Sequence, residues 1–393
     1  MKLIFIKVIL FLSLFIFISS LRTYKTTIDG KELIYKSIFL IDEDTLLEEG
    51  EMNSFSLNEI NILVVDGAKL TLSPGRNITK RIKRTNLRNL LKEEELEEDY
   101  SNSDDYKYGL TASIVAIGSG TEIIINEASI LVDCPYSNAI VGLDGAIIKI
   151  KNSTIITKEK YSKGIVSLHN SFIEISDKTS IVTEGDFSPC LLLEENNRQI
   201  IGSSIFLNSL GIGSPLIFTN GNGELDIISA YGISKNSQIL IIKGNTKVDL
   251  HHCNFNSTLK GINNFYNNDN INLNNGGIVL YRNDENIGGT ADLGMYNCNF
   301  YINNKDIDNL PMISCYNTEA NIIVDNSFFY FPNIFIKSDK IKDSNIYTKI
   351  TVELKQIEFN GKIIAENNSQ IILKADEKII NDKIKISGNV YIQ

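Results

Sequence analysis

The chain has 393 residues, a formal net charge of −10 and 22% charged residues. This acidity argues against nucleic acid and anionic membrane surfaces as partners, because both attract basic proteins. The five cysteines are too few and too scattered for a disulfide scaffold.

The first twenty residues have the pattern of a secretory signal peptide. Lys2 and Lys7 flank a short apolar stretch at residues 8–18, and Ser19 and Ser20 supply small residues at its end. This pattern predicts a signal peptide at residues 1–20, with an uncleaved anchor as the alternative. The mature chain is then expected to be secreted or extracellular, without a membrane span after signal cleavage.

Two further segments precede the main body of the chain. Residues 21–79 read as strands and are expected to form an N-terminal cap and the first coil. In residues 80–107, six basic residues at positions 80–92 are followed by eight acidic ones at positions 93–105. That charge order opposes a helix dipole, so we expect a charged surface excursion.

From residue 108 to 393 the chain repeats one pattern of three short alternating runs separated by turns. The first five intervals are 26, 25, 26, 25 and 23 residues. Strand chemistry at this period predicts an all-β parallel β-helix of about ten coils, each burying its apolar face against its neighbours. The coil starts are Ser113, Ala139, Gly164, Cys190, Pro215, Gln238, Gly277, Met312, Asn333 and Lys362.

The second run of each coil alternates between apolar and polar residues. The alternation predicts that Ile175 and Leu250 point inward, whereas Glu174, Asp226 and Asp249 point outward. Further inward positions are Ile173, Leu225, Ile227, Val248, Ile322 and Val324.

A turn position after this run carries Asn152, His252, Asn297 and Asn326 in different coils. This position, the coil period and the three strands per coil are the features on which a resemblance to a known superfamily rests. The chain resembles the right-handed parallel β-helix proteins of the pectin-lyase-like superfamily, and more closely the exported, repetitive members without an assigned activity. The resemblance extends from about Leu33 to the end and implies a fold rather than one activity.

Catalytic motifs of that superfamily are incomplete here. The segment at residues 247–255 resembles the calcium-binding segment of pectate lyases, but His251 stands where an aspartate is needed. The paired aspartates and the Gly-His-Gly turn of polygalacturonases do not occur. No catalytic residue is therefore predicted.

An outward cluster is the candidate binding site. Asp226 and Asp249 align in successive coils, and this like-charge pair is a candidate calcium position. His251 shares the face of Asp249, and Tyr296 and Asp325 align with His251 in the next two coils. The alternative is a solvated acidic face without a ligand.

Two covalent features are also predicted. Cys253 and Cys298 occupy the same place in neighbouring coils and are a candidate disulfide, with two stacked free thiols as the alternative. Glycosylation sequons occur at Asn77, Asn152, Asn256 and Asn367.

The leading functional hypothesis is a secreted or cell-surface protein that binds a polysaccharide or cell-surface glycan without catalysis, on the face between residues 254 and 330. One alternative is a diverged polysaccharide lyase or glycoside hydrolase, and another is a structural surface spacer. No cofactor is expected apart from the candidate calcium. The candidate rings for stacking on sugars are Tyr266, Tyr281, Tyr296, Tyr301 and Tyr316.

Overall fold

Alternating apolar side chains give each turn of the chain three short strands, and successive turns stack in parallel. The computed structural model is a β-solenoid of about 11 turns, which confirms the all-β parallel β-helix and adds one turn to the number predicted. It describes residues 21–48, 50–82, 103–259, 276–282, 289–303, 310–331, 333–340, 347–357 and 359–393. The predicted signal peptide at residues 1–20 lies outside these ranges.

Two of the three ladders of strands belong to one 25-stranded sheet. We name them the first ladder and the second ladder, in the order in which each turn enters them. Two long strands, Leu191–Ser203 and Ile217–Ile228, run through both ladders without an intervening turn. The other strands of the first ladder are Lys31–Ile41, Ile60–Val64, Ile114–Ile117, Ile140–Leu143, Ile165–Leu168, Leu240–Gly244, Ile278–Tyr281, Pro311–Tyr316, Ile334–Asp339, Gly361–Ala365 and Ile384–Gly388.

The second ladder forms the face that carries the candidate site. Its strands pair in parallel with the turn before and the turn after. Its remaining strands are Thr45–Leu47, Lys69–Leu72, Glu122–Asn126, Ile147–Lys151, Phe172–Ser176, Lys247–His251, Ala291–Tyr296, Glu319–Asp325, Lys349–Lys355, Gln370–Ala375 and Val390–Ile392.

The third ladder is a separate sheet of ten strands. It closes each turn opposite the larger sheet. Its strands are Glu51–Ser54, Asn77–Arg81, Ser129–Asp133, Thr154–Thr157, Ser180–Thr183, Phe206–Ser209, Tyr231–Ser234, Asn254–Ser257, Asn299–Ile302 and Phe328–Tyr330.

The interior is a continuous stack of apolar side chains. Ile175 and Leu250 are fully buried, whereas Glu174 and Asp249 on the same strands are partly exposed. Burying each such side chain contributes about 1.5–3 kcal/mol to the stability of the fold, and every turn adds several of them. All the residues predicted to point inward are buried in this core.

The turn after the second ladder holds its residues in a left-handed conformation, with φ of 47° at Asn152, 54° at Asn297 and 45° at Asn326. Asparagine tolerates this conformation better than most residues because its short amide can bond locally. The Asn326 Nδ2 atom donates to Asn297 Oδ1 at 2.6 Å, so the amides also link successive turns.

The charged excursion begins later than the sequence predicts. Lys80 belongs to the strand Asn77–Arg81 and points inward, where its ammonium group donates to the carbonyl oxygens of Leu57, Glu59 and Ala112. The basic run concealed this strand because a lysine occupies an inward position. Residues 83–102 of the predicted excursion lie outside the described residues.

A hairpin and two short helices complete the described structure. Strand Arg22–Ile28 pairs antiparallel with Lys31–Ile41, and apolar residues of this hairpin pack on the outward face of the first ladder. The helices are Asp104–Lys107 and Glu377–Lys383. Neither helix in the described part of the chain has the length and apolar character needed to cross a bilayer.

Candidate functional site

A groove of about 580 Å³ lies on the outward face of the second ladder. It extends over strands from five successive turns, from Lys247–His251 to Gln370–Ala375. One column of its lining consists of Lys247, Asp292, Asn321 and Thr351, and a second consists of Asp249, Gly294, Ile323, Glu353 and Lys374.

Strand alternation and register place these side chains together. The residues of each column are direct partners on neighbouring strands, as Asp249 with Gly294 and Asn321 with Thr351 show. Neighbouring strands lie about 4.8 Å apart, so each turn adds one side chain per column at that spacing. The groove is therefore a repeated surface rather than a single loop-built cavity.

Gly294 shapes the middle of the groove. A Cβ atom at this position would lie 2.4 Å from Asp249 Oδ1 and 2.5 Å from Tyr296 Cε2. Contacts this short do not occur between real atoms of these types, so a side chain here would displace the tyrosine ring or the carboxylate. The glycine thus leaves room for the Tyr296 ring beside Asp249.

Tyr296 and His251 form an aromatic pair at this edge of the groove. Their ring centroids are 4.6 Å apart and their planes differ by 11°, which is a stacked arrangement. Burial raises the pKa of the Tyr296 phenol, and the negative charge of Asp249 raises it further. The hydroxyl is therefore protonated at neutral pH and can donate a hydrogen bond to a ligand.

Lys247 pairs with Asp249, one of the two aspartates predicted to bind calcium, and with Glu224. Its Nζ atom lies 3.0 Å from Glu224 Oε1 and 3.0 Å from Asp249 Oδ2. Hydrogen bonds to these two carboxylates raise the pKa of Lys247. Asp226 is the direct register partner of Asp249, as predicted, and its Oδ1 atom is buried without a hydrogen-bond partner.

The calcium argument changes because of this lysine. Repulsion between Asp226 and Asp249 was the reason to expect a cation, and the Lys247 ammonium group already supplies positive charge beside Asp249. Within the described ranges, no group of three or more histidine, cysteine, aspartate or glutamate side chains is placed to hold a metal ion. The calcium position stays a prediction.

The far end of the groove has its own polar contacts. Asn321 Nδ2 donates to Asp292 Oδ1 at 2.9 Å, and Lys355 Nζ lies 2.6 Å from Glu353 Oε1. The groove thus presents paired charges, one amide and two hydroxyls, which suits a polar, largely uncharged ligand better than a polyanion.

Of the residues predicted from sequence, Asp249 and Tyr296 line the groove and His251 stacks on Tyr296. Asp325 is the register partner of Tyr296, so it continues the same outward column. Sequence reasoning missed Asp292, Gly294, Asn321, Thr351, Glu353 and Lys374. Extending the same register by two more turns would have found Glu353 and Lys374.

Some predicted stacking rings are placed elsewhere. Tyr281 and Tyr316 are buried in the apolar cluster on the first ladder, so they present no face to a sugar. Tyr301 packs against Phe328 at a centroid distance of 5.9 Å. Tyr266 lies outside the described residues.

All five cysteines are buried free thiols. Cys253 and Cys298 do occupy equivalent places on neighbouring turns, and the Cys253 amide donates to Cys298 Sγ at 3.3 Å. The hydrogen bond with Cys298, together with burial, raises the pKa of Cys253. The disulfide between them is not formed in the structure and stays a prediction.

The four sequons differ in accessibility. Asn77, Asn152 and Asn367 are exposed, whereas Asn256 is partly buried and its Oδ1 atom is inaccessible to solvent. Glycosylation at Asn77, Asn152 and Asn367 is therefore sterically open, and at Asn256 the amide would first have to turn outward.

The parallel β-helix is established by the strand register itself. Membership of the narrower pectin-lyase-like superfamily stays a prediction. No family model matches the chain, and no curated protein or solved structure matches it either.

Proposed function

We propose that this protein is a secreted or cell-surface β-helix that binds a glycan chain in the groove on its second ladder. The observation that carries the proposal is the His251 and Tyr296 pair beside a groove of about 580 Å³ lined by carboxylates, one amide and two hydroxyls. Secretion is inferred from the signal-peptide pattern of residues 1–20.

The chemistry of the groove matches that of a sugar. Aromatic faces pack against the apolar faces of sugar rings, and polar side chains placed around them bond the hydroxyl groups. Because the groove crosses five turns at about 4.8 Å per turn, it fits an extended oligosaccharide better than a single ring. The acidic balance of the chain favours a neutral glycan over a polyanionic one.

A diverged polysaccharide lyase or glycoside hydrolase is the second candidate. Three carboxylates, Asp249, Asp292 and Glu353, line the same groove, and paired carboxylates are what glycoside hydrolysis needs. Membership of the pectin-lyase-like superfamily would support this candidate. A structural spacer without a ligand is the remaining alternative.

Glycan-array binding followed by titration calorimetry tests the proposal. The proteins are the parent, Tyr296→Leu, and Tyr330→Leu as a matched control on the third ladder, where the ring is exposed. We expect a neutral oligosaccharide to bind the parent and the control equally, and Tyr296→Leu about fivefold more weakly. Loss of a stacked ring of this kind costs about 1 kcal/mol or more.

The same samples separate the three functions. Release of reducing ends or unsaturated products from pectin, xylan or alginate would show that the protein is an enzyme rather than a binding protein. If the folded parent bound no glycan on the array, the structural spacer would be the remaining hypothesis. Equal binding by Tyr296→Leu and Tyr330→Leu would move the site away from this groove.

A further inference from the structure

A second pocket lies at the C-terminal end of the solenoid, between the last turns of the first ladder and the helix Glu377–Lys383. Its volume is about 360 Å³, within the range of small-molecule sites. Three lysines and three asparagines line it: Lys362, Lys383, Lys385, Asn333, Asn360 and Asn381.

The charge of this pocket runs against that of the whole chain. Asp382 is the one carboxylate among its lining residues, so three lysines and one aspartate give a formal charge of 3 − 1 = +2. The chain as a whole carries −10. A concentrated positive site in an acidic protein selects an anionic ligand.

Two of the lysines face each other directly. Lys362 and Lys385 are register partners on neighbouring parallel strands. Like charges in this position destabilise a sheet unless an opposite charge lies between them. At another pair of register partners on the solenoid the charges are opposite, since Lys69 Nζ lies 2.8 Å from Glu122 Oε2.

The described residues supply no such counter-charge here. No acidic side chain of the described ranges lies within ion-pair distance of Lys362 or Lys385, although Asp382 lines the same pocket. The third lysine, Lys383, is held in place by donating to the carbonyl oxygen of Ile357. Two facing ammonium groups are thus left to a partner from solution.

We propose that this pocket binds a phosphate or sulfate group, either as the free ion or on a ligand about the size of one sugar residue. The oxygens of the tetrahedral anion accept hydrogen bonds from the ammonium groups of Lys362 and Lys385, and the amide groups of the three asparagines add neutral donors. Such charge-assisted bonds are short and about twice as strong as neutral ones. The site is separate from the groove on the second ladder and does not depend on its function.

Calorimetry at low ionic strength tests the site with defined probes. Inorganic phosphate, sulfate, glucose 6-phosphate and glucose are titrated into the parent, into Lys362→Gln/Lys385→Gln, and into Lys158→Gln/Lys349→Gln. The last protein removes the same charge from two exposed lysines elsewhere on the solenoid. Melting temperatures are measured in parallel in phosphate and in chloride of equal ionic strength.

We expect phosphate to raise the melting temperature of the parent and of the control more than chloride does. The pocket variant loses that difference and binds the anions at least tenfold more weakly, and in chloride it melts no lower than the parent because the facing charges are gone. Tighter binding of glucose 6-phosphate than of phosphate, with no binding of glucose, identifies a ligand-borne group. Equal affinity for phosphate and sugar phosphate identifies the free ion.

Equal phosphate effects on the pocket variant and on the control variant would overturn the proposal, as would equal effects of phosphate and chloride on the parent. If the double variant folds poorly, Lys385→Gln alone replaces it, because that side chain is exposed. A phosphate response that survives in Lys385→Gln at parental strength would also overturn it.

Discussion

At the residue scale, side chains next to each other on one strand have opposite environments. Ile175 is fully buried in the stacked interior, while Glu174 beside it faces outward. The interior of a solenoid is apolar along its whole length, so a charge placed there finds neither water nor a partner. Neighbouring positions should therefore differ sharply in their tolerance of substitution.

We expect Ile175→Asp to lower the free energy of unfolding by more than about 4 kcal/mol, because it buries an unpaired carboxylate and removes apolar volume. Glu174→Ala should change it by no more than about 0.5 kcal/mol. Urea unfolding followed by circular dichroism measures both. Similar losses in the two variants would mean that the strand faces the other way.

Lys80 is the exception among the inward positions of the third ladder. Its aligned neighbours in later turns are Val132, Thr157 and Thr183, which are smaller and uncharged. The lysine is tolerated because three carbonyl oxygens accept from its ammonium group at the corner of the turn. Burial lowers its pKa to about 8.

This shift makes part of the stability depend on pH. The unfolded chain holds the Lys80 proton up to a pKa of about 10.4, so between about pH 8 and 10.4 it binds more protons than the folded chain. The free energy of unfolding should therefore rise across this window, by about 2 kcal/mol between pH 8 and 10 relative to Lys80→Met. Urea unfolding of both proteins from pH 7 to 10 measures it, and parallel pH profiles would contradict the buried, perturbed lysine.

At the element scale, the second ladder shows what a one-dimensional pattern can and cannot reveal. The alignment on Cys253-Asn254-Phe255 placed Asp226 beside Asp249 and His251 beside Tyr296, and the register confirms both pairs. Register follows from strand alternation, which is visible in a sequence. The position of the Lys247 ammonium group between two carboxylates depends on side-chain conformation, and the alternation of residue types does not determine that conformation.

The coil starts were less accurate where the turns are irregular. The register places two of them at Leu216 and Ile239, one residue after the predicted Pro215 and Gln238, and a third at Phe335, two residues after Asn333. In the strands that begin at Leu191 and Ile217, the first and second ladders run together without a turn, so the usual turn residues give no signal. The groove itself was not predicted, because the room at Gly294 depends on where the Asp249 carboxylate and the Tyr296 ring lie.

Substituting Lys247 tests directly whether its positive charge compensates the negative charges of the neighbouring carboxylates. We expect Lys247→Met to lower the free energy of unfolding by about 1 kcal/mol, since the pair is half-exposed. It should also create a calcium dependence, because Glu224, Asp226 and Asp249 are then left without a nearby cation and are free to turn toward one ion, which they do not do in the parent structure.

Differential scanning calorimetry with and without millimolar calcium measures both effects, and Lys247→Arg is the matched control that keeps the charge. A calcium-induced rise in melting temperature that is as large in the parent as in Lys247→Met would restore the predicted calcium site. The absence of any rise in Lys247→Met would show that the carboxylates do not converge.

At the scale of the whole molecule, the solenoid repeats one cross-section along an axis and varies only what each turn presents outward. The core is uniform from turn to turn, whereas the outward columns change from charged pairs to an aromatic pair and then to facing lysines. Function in such a scaffold is therefore set by which outward residues become neighbours. The groove and the lysine pocket both depend on the register between successive turns.

Engineered cross-linking measures that register most directly. Asn321 and Thr351 are direct partners in the groove, about 4.8 Å apart, which is within disulfide reach. Asn321 and Glu353 are offset by two residues, and their Cα atoms are about 8 Å apart, beyond that reach. All native cysteines are buried, so surface pairs can be oxidised selectively.

We expect Asn321→Cys/Thr351→Cys to form a disulfide rapidly under mild oxidation, as peptide mass spectrometry of the digested protein would show. Asn321→Cys/Glu353→Cys should remain reduced under the same conditions. Cross-linking of the offset pair in preference to the aligned pair would contradict the register of these strands, and with it the proposed groove.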